Sequence, residues 1–134
     1  MSAPSAHPDL YEVDESGRPT LIGLRDSGGS VSFPFQTHGS EHNGDVGEQL
    51  SRIPLAGTGT VSAVVDVHLP LDPALEVPYR LASVVLDEGP MVRSVLVDAP
   101  DVAIGSRVRA VTVPVVRNDV EVAELRFTPE RVTP

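Results

Sequence analysis

The sequence contains no cysteine, no lysine and no tryptophan. Without cysteine there is no disulfide, no thiolate nucleophile and no sulfur-ligated metal. Without lysine there is no Schiff base and no phosphate-gripping Walker lysine. The 10 basic residues are all arginine and stand against 19 acidic ones, for a formal net charge of −9. A fold that grips a nucleic-acid backbone needs a basic face and stacking aromatics. Here two Tyr and three Phe are all the aromatics there are. Neither nucleic acid nor an anionic membrane surface is an expected partner. No apolar run approaches the roughly 18 residues of a membrane span. The opening "MSAPSAHPDL" has neither a basic n-region nor an apolar h-region. Together these predict a soluble, cytoplasmic protein.

Gly-x-Ser-x-Gly is missing, and no Ser-His-Asp arrangement can be assembled. "GTGTVS", from Gly57 to Ser62, opens a strand pattern and lacks the third glycine of a dinucleotide loop. No catalytic apparatus is visible, and no cofactor is expected.

What is abundant is glycine and proline, 11 and 13 in 134 residues, which favours short elements joined by turns. Of the 22 valines, 19 lie from Val61 onward, and β-branched residues suit a pleated, half-buried surface. The pattern predicts a loose tail over residues 1–9 and a hairpin formed by Leu10–Val13 and Thr20–Arg25. A Gly-rich stretch to Gly47 and a connector with a helical turn at Glu48–Arg52 follow. Beyond Gly59 come about five antiparallel strands, the number in an OB-fold barrel. In the first, Val61, Ala63, Val65 and Val67 share one face and Ser62, Val64, Asp66 and His68 the other. The next two flank a turn at Asp87-Glu88-Gly89-Pro90. In the fourth, Val108, Ala110 and Thr112 alternate with Arg107, Arg109 and Val111. The last, after a turn at Asn118-Asp119, sets Ala123, Leu125 and Phe127 on one face. The tail, a lobe at 10–47 and a β domain at 48–134 make up the expected organisation.

Gly17-Arg18-Pro19, Leu21-Ile22-Gly23, Gly29 and Phe33-Pro34-Phe35 occur in an order that resembles a known family. So do "LAGTGTV", Pro78-Tyr79, "LDEGP" at 86–90, "IGSRV" at 104–108 and "LRFTP" at 125–129. The chain resembles the acyl-CoA-associated zinc-ribbon/OB-fold proteins, small subunits that accompany thiolase-like and MaoC-like hydratase enzymes. The resemblance implies an all-β fold: a five-stranded OB-fold barrel preceded by a rubredoxin-like zinc-ribbon lobe. In this chain the ribbon is degenerate. Its cysteine pairs would fall at Arg25 and Gly28 and near Gly39 and His42, where only His42 can ligate a metal. A structural zinc contributes on the order of 10 kcal/mol to a small ribbon, so a lobe without it must be held by the barrel or by another chain.

His38 and His42, with Asp26, Glu41 and Asp45 nearby, are the weak candidates for a replacement metal site. Glycines here argue against the helix that a His-x-x-x-His pair needs, and the expected metal content is none. Asp87 and Glu88 read as turn chemistry, not as an acid/base pair. Phe33, Phe35, Pro78, Tyr79, Asp87, Glu88 and Gly89 are the candidate contacts for a partner or ligand. The resemblance implies a non-catalytic accessory subunit of a hetero-oligomer, paired with a thiolase-like enzyme acting on acyl-CoA, or with a MaoC-like enoyl-CoA hydratase. Acyl-CoA would be met through the complex. The alternative from a different class is a free-standing acyl-CoA or small-molecule binder using the barrel.

Overall fold

The computed structural model describes residues 4–8, 10–25, 27–33, 51–70, 72–73 and 75–130. Among these there are nine strands and no helix: β1 (Tyr11–Val13), β2 (Pro19–Arg25), β3 (Val31–Ser32), β4 (Ser51–Leu55), β5 (Thr58–Val67), β6 (Tyr79–Leu86), β7 (Met91–Val95), β8 (Arg107–Arg117) and β9 (Val120–Pro129). The all-β expectation holds. So does the OB barrel: its five strands are β5 to β9, in the order β7-β6-β5-β8-β9. A parallel bridge between Leu96 and Phe127 joins the end of β7 to β9, with Val97 N–H donating to Phe127 O at 2.9 Å.

The barrel interior follows from strand periodicity. On β6, Ala82, Val84 and Leu86 are buried; on β8, Val108 and Ala110; on β9, Ala123 and Phe127. Ala99 and Val102, from the connection between β7 and β8, complete the cluster. Gly59 is required where β5 enters the barrel, because a Cβ there would lie 2.5 Å from Val85 O. The Asn118-Asp119 turn has φ of 51° and 65°, the left-handed pair that a two-residue hairpin needs.

One strand departs from the expected alternation. A bulge between Val61 and Ala63 shifts the register of β5 against β6. Val61 points inward as expected, but beyond the bulge it is Val64 that packs on the core, opposite Ala82. Ala63, Val65 and Val67 therefore face outward, the reverse of the sequence reading.

The N-terminal sheet has four strands. β4 runs along one edge of β2, pairing Leu21–Arg25 with Ser51–Leu55. β1 and β3 share the other edge, at Pro19–Leu21 and Leu24–Arg25. The helical turn expected at Glu48–Arg52 is overturned at Ser51 and Arg52, which are strand. The pairing partner lies some 30 residues earlier, and Pro54 interrupts the local pattern. Pro54 is tolerated because β4 pairs with β2 alone. Tyr11, Leu21, Phe33 and Leu55 of this sheet belong to the same buried cluster as the barrel interior.

Two side-chain bonds tie the sheets together. The Tyr11 hydroxyl donates to Ala123 O at 2.7 Å, and Thr112 Oγ1 donates to Gly17 O at 2.5 Å. The opening residues are tied as well. Ala123 N–H donates to Pro4 O at 2.7 Å and Ala6 N–H donates to Ala123 O at 3.0 Å, so Pro4–Ala6 of the expected loose tail line the edge of β9. Ala123 thus directs both backbone groups away from β8. Its cross-strand neighbour Pro114 must do the same. The missing N–H of Pro114 therefore falls on the outer edge of β8, where it removes a donor that another strand could use.

Candidate functional site

The sequence-derived contact residues do not form one site. Pro78 and Tyr79 lie at one end of β6, and Asp87, Glu88 and Gly89 follow its other end. Eight residues of strand separate them by roughly 25 Å at the usual rise. Phe33 sits elsewhere, buried beside the barrel. Phe35, His38 and His42 lie outside the described residues, as do Asp26, Glu41 and Asp45.

At the hairpin tip the carboxylates brace the barrel. Asp87 accepts two bonds from Arg107, at 2.6 and 2.9 Å, and one from the Thr58 hydroxyl. These donors, Arg107 first, hold its carboxyl down at about 2. Arg107 also reaches Glu130 at 3.2 Å, and these carboxylates raise its own pKa, Asp87 first. Glu88 Oε2 accepts the Ala56 N–H at 2.8 Å, while Oε1 is buried with no hydrogen-bond donor among the described residues. The tip thus joins the starts of β5 and β8 to the β6–β7 turn. Its outermost residue, Gly89, has φ of 116° and stays exposed.

A second ion-pair cluster anchors the connection between β5 and β6. Arg117 holds Asp72 at 2.9 Å and Glu124 at 2.6 Å, and Arg126 adds a contact to Glu124 at 3.2 Å. Arg117 is the main reason that the Glu124 carboxyl lies below its usual range.

Two surfaces missed by sequence reasoning look outward. The first is the outer face of β5, β6 and β7. Cross-strand register lines up Val65, Leu81 and Val95 in one row and Val85 with Met91 in another. Val65 and Met91 are each 56% exposed. Tyr79, opposite Val67, ends the band. Arg93 is the one cation on this face. An apolar face with a single cation suits protein contact far better than a nucleic-acid strand. The signal was present in "RLASVVL": β6 is apolar on both faces, the mark of a strand covered twice.

The second is a groove of about 450 Å³ where the two sheets meet. Leu10, Tyr11 and Phe33 wall one side, β7 the second, and Glu124–Arg126 of β9 the third. Burial raises the Tyr11 phenol above its usual pKa, and the ring stays a neutral donor to Ala123. Ser94 Oγ crosses the groove floor to Leu125 O at 3.2 Å. Nothing in the sequence announces this groove, because its walls come from four separated segments.

Comparison with known proteins bears on these surfaces. Residues 52–113 match the family model described as ChsH2, C-terminal OB-fold domain. Among curated proteins none matches the chain. Among solved structures, a chain of the "Ltp2-ChsH2(DUF35) aldolase" superposes with a TM-score of 0.64 at 27% identity. The match covers 82% of this chain and 84% of that one, so it extends well beyond residues 52–113.

Proposed function

We propose that this chain, whose residues 52–113 match the model of the ChsH2 C-terminal OB-fold domain, is a non-catalytic accessory subunit that pairs with a thiolase-like enzyme acting on acyl-CoA. The observation that carries the reading is the likeness to a chain of an Ltp2-ChsH2 aldolase, which spans most of both chains. It includes lobe as well as barrel, as expected if both serve one assembly. The enzyme subunit would supply the acid/base groups or nucleophile. This chain would stabilise the assembly or shape the acyl-CoA site. The apolar outer face of β5–β7 and the exposed Gly89 tip are the surfaces that fit such a partner. The solved likeness favours an aldolase-type partner over a MaoC-like hydratase.

The test is co-expression with the thiolase-like enzyme of the same host, followed by native mass spectrometry. A stable hetero-oligomer is expected. Replacing Leu81 by Asp on the outer face should weaken it at least roughly tenfold, since a buried charge without a partner is costly. A chain that stays monomeric beside the enzyme, and does not alter its acyl-CoA turnover, would overturn the proposal. A monomer that binds acyl-CoA alone would point to the small-molecule class.

A further inference from the structure

The groove between the sheets has a wall with unusual chemistry. Leu96 N–H donates to Arg80 O at 2.9 Å, and Leu86 N–H donates to Pro90 O at 2.8 Å. These bonds fix the parity of β7: residues 90, 92, 94 and 96 direct their backbone groups toward β6. Met91, Arg93 and Val95 must direct theirs the other way, toward β9, as the bond from Val97 to Phe127 confirms for the next residue of that parity. Beyond that bond β7 and β9 separate, and the groove opens between them. Among the described residues, no hydrogen bond engages the N–H or C=O of Met91, Arg93 or Val95.

Parts of two other barrel edges are engaged or blunted. The edge of β9 is occupied by Pro4 and Ala6 at Ala123, by the Ser94 hydroxyl at Leu125 and by Val97 at Phe127. The outer edge of β8 is blunted by Pro114. On β7 an accessible run of strand donors and acceptors faces a largely apolar groove. A backbone edge of this kind is satisfied by another extended backbone. The side-chain environment narrows the occupant further. Phe33, Leu10 and Leu125 offer apolar contact, and Arg93 has no carboxylate partner among the described residues.

We propose that the β7 edge receives an extended segment of the partner enzyme, about five residues long, which adds a strand beside Met91–Val95 and places a carboxylate near Arg93. The proposal rests on the accessory-subunit reading and specifies its docking chemistry: main-chain bonds supply the register, the groove wall takes apolar side chains, and Arg93 selects an acidic one. The incoming strand also lies next to the outer face of β5–β7, so one continuous surface would be covered.

Residue-resolved amide exchange on the intact chain, free and in complex with the thiolase-like enzyme, tests it. In the free chain the Arg93 and Val95 amides should exchange roughly 100-fold faster than those of Val92 and Ser94, which bond to β6. In the complex they should slow by roughly the same factor. An Arg93→Pro variant removes an outward N–H while sparing the β6 ladder, and should weaken the complex at least roughly tenfold. Arg93→Ala, which keeps the N–H, should weaken it less. A complex that forms without slowing these amides overturns strand addition and leaves the accessory reading standing. Failure to form any complex overturns both. Protection in the free chain that grows with concentration would assign the edge to a second copy of this chain, and so also overturns the proposal.

Discussion

The two sheets solve the same problem with different means. The barrel is knit by long ladders: β8 and β9 pair over ten residues, from Val108–Pro129 to Arg117–Val120. The N-terminal sheet has two- and three-residue strands on one edge of β2 and only five pairs on the other. Strands this short cannot support themselves. What stabilises them is burial against the barrel, through Tyr11, Leu21, Phe33 and Leu55. This lobe, which has no cysteine, shares one core with its neighbour. The comparison teaches that a small sheet without metal-binding cysteines can be held where a second sheet shares its interior.

The largest test of that view strikes the shared core. Phe127 is fully buried among residues of both sheets. Its replacement by Ala should cost about 3–5 kcal/mol in denaturant unfolding. Lobe and barrel should be lost in one coincident transition. Separate transitions by two probes, one in β2 and one in β9, would break the one-core description. A smaller effect should come from Tyr11→Phe, which removes the hydroxyl that donates to Ala123 O. About 1 kcal/mol is expected. Amide exchange should quicken in β1 and at Ala6 while the β8–β9 ladder stays protected.

The smallest effect belongs to the barrel alone. The folded-state pKa of Asp87, about 2, lies below its ordinary 3.8. The unfolded chain therefore takes up the proton first as pH falls. The stabilisation is fully present above pH 4 and fades between about 4 and 2. Because Asp87 and Arg107 are both more than 40% exposed, it should amount to no more than about 1 kcal/mol. An Asp87→Asn chain should lose the acid slope in that interval; an unchanged slope would show that other carboxylates govern it.

Much of the barrel was legible in the residues. Val108 and Ala110 alternating with Arg107 and Arg109, Ala123 and Phe127 on one face, and turn residues at Asp87–Pro90 and Asn118-Asp119 report local rules that the fold obeys. What was illegible depends on distant partners. A single bulge reverses the outward face of β5 after Val61, and no local propensity marks it. β4 is strand because β2 lies beside it, despite Pro54. The carboxylates at 87 and 88 were visible, but their role was not: Thr58, Ala56 and Arg107, which they grip, are 20 to 32 positions away. The apolar outer face and the groove emerge only once strands are laid in register.

Pro114 carries a consequence for self-association. Growth of a fibre by edge pairing needs each added molecule to offer two competent edges, one to join and one to be joined. In the barrel, Pro114 and the residues seated along β9 take parts of two edges out of such growth. Each edge so blocked is one route fewer by which a further copy can be added, and the fold thereby carries its own restraint on polymerisation.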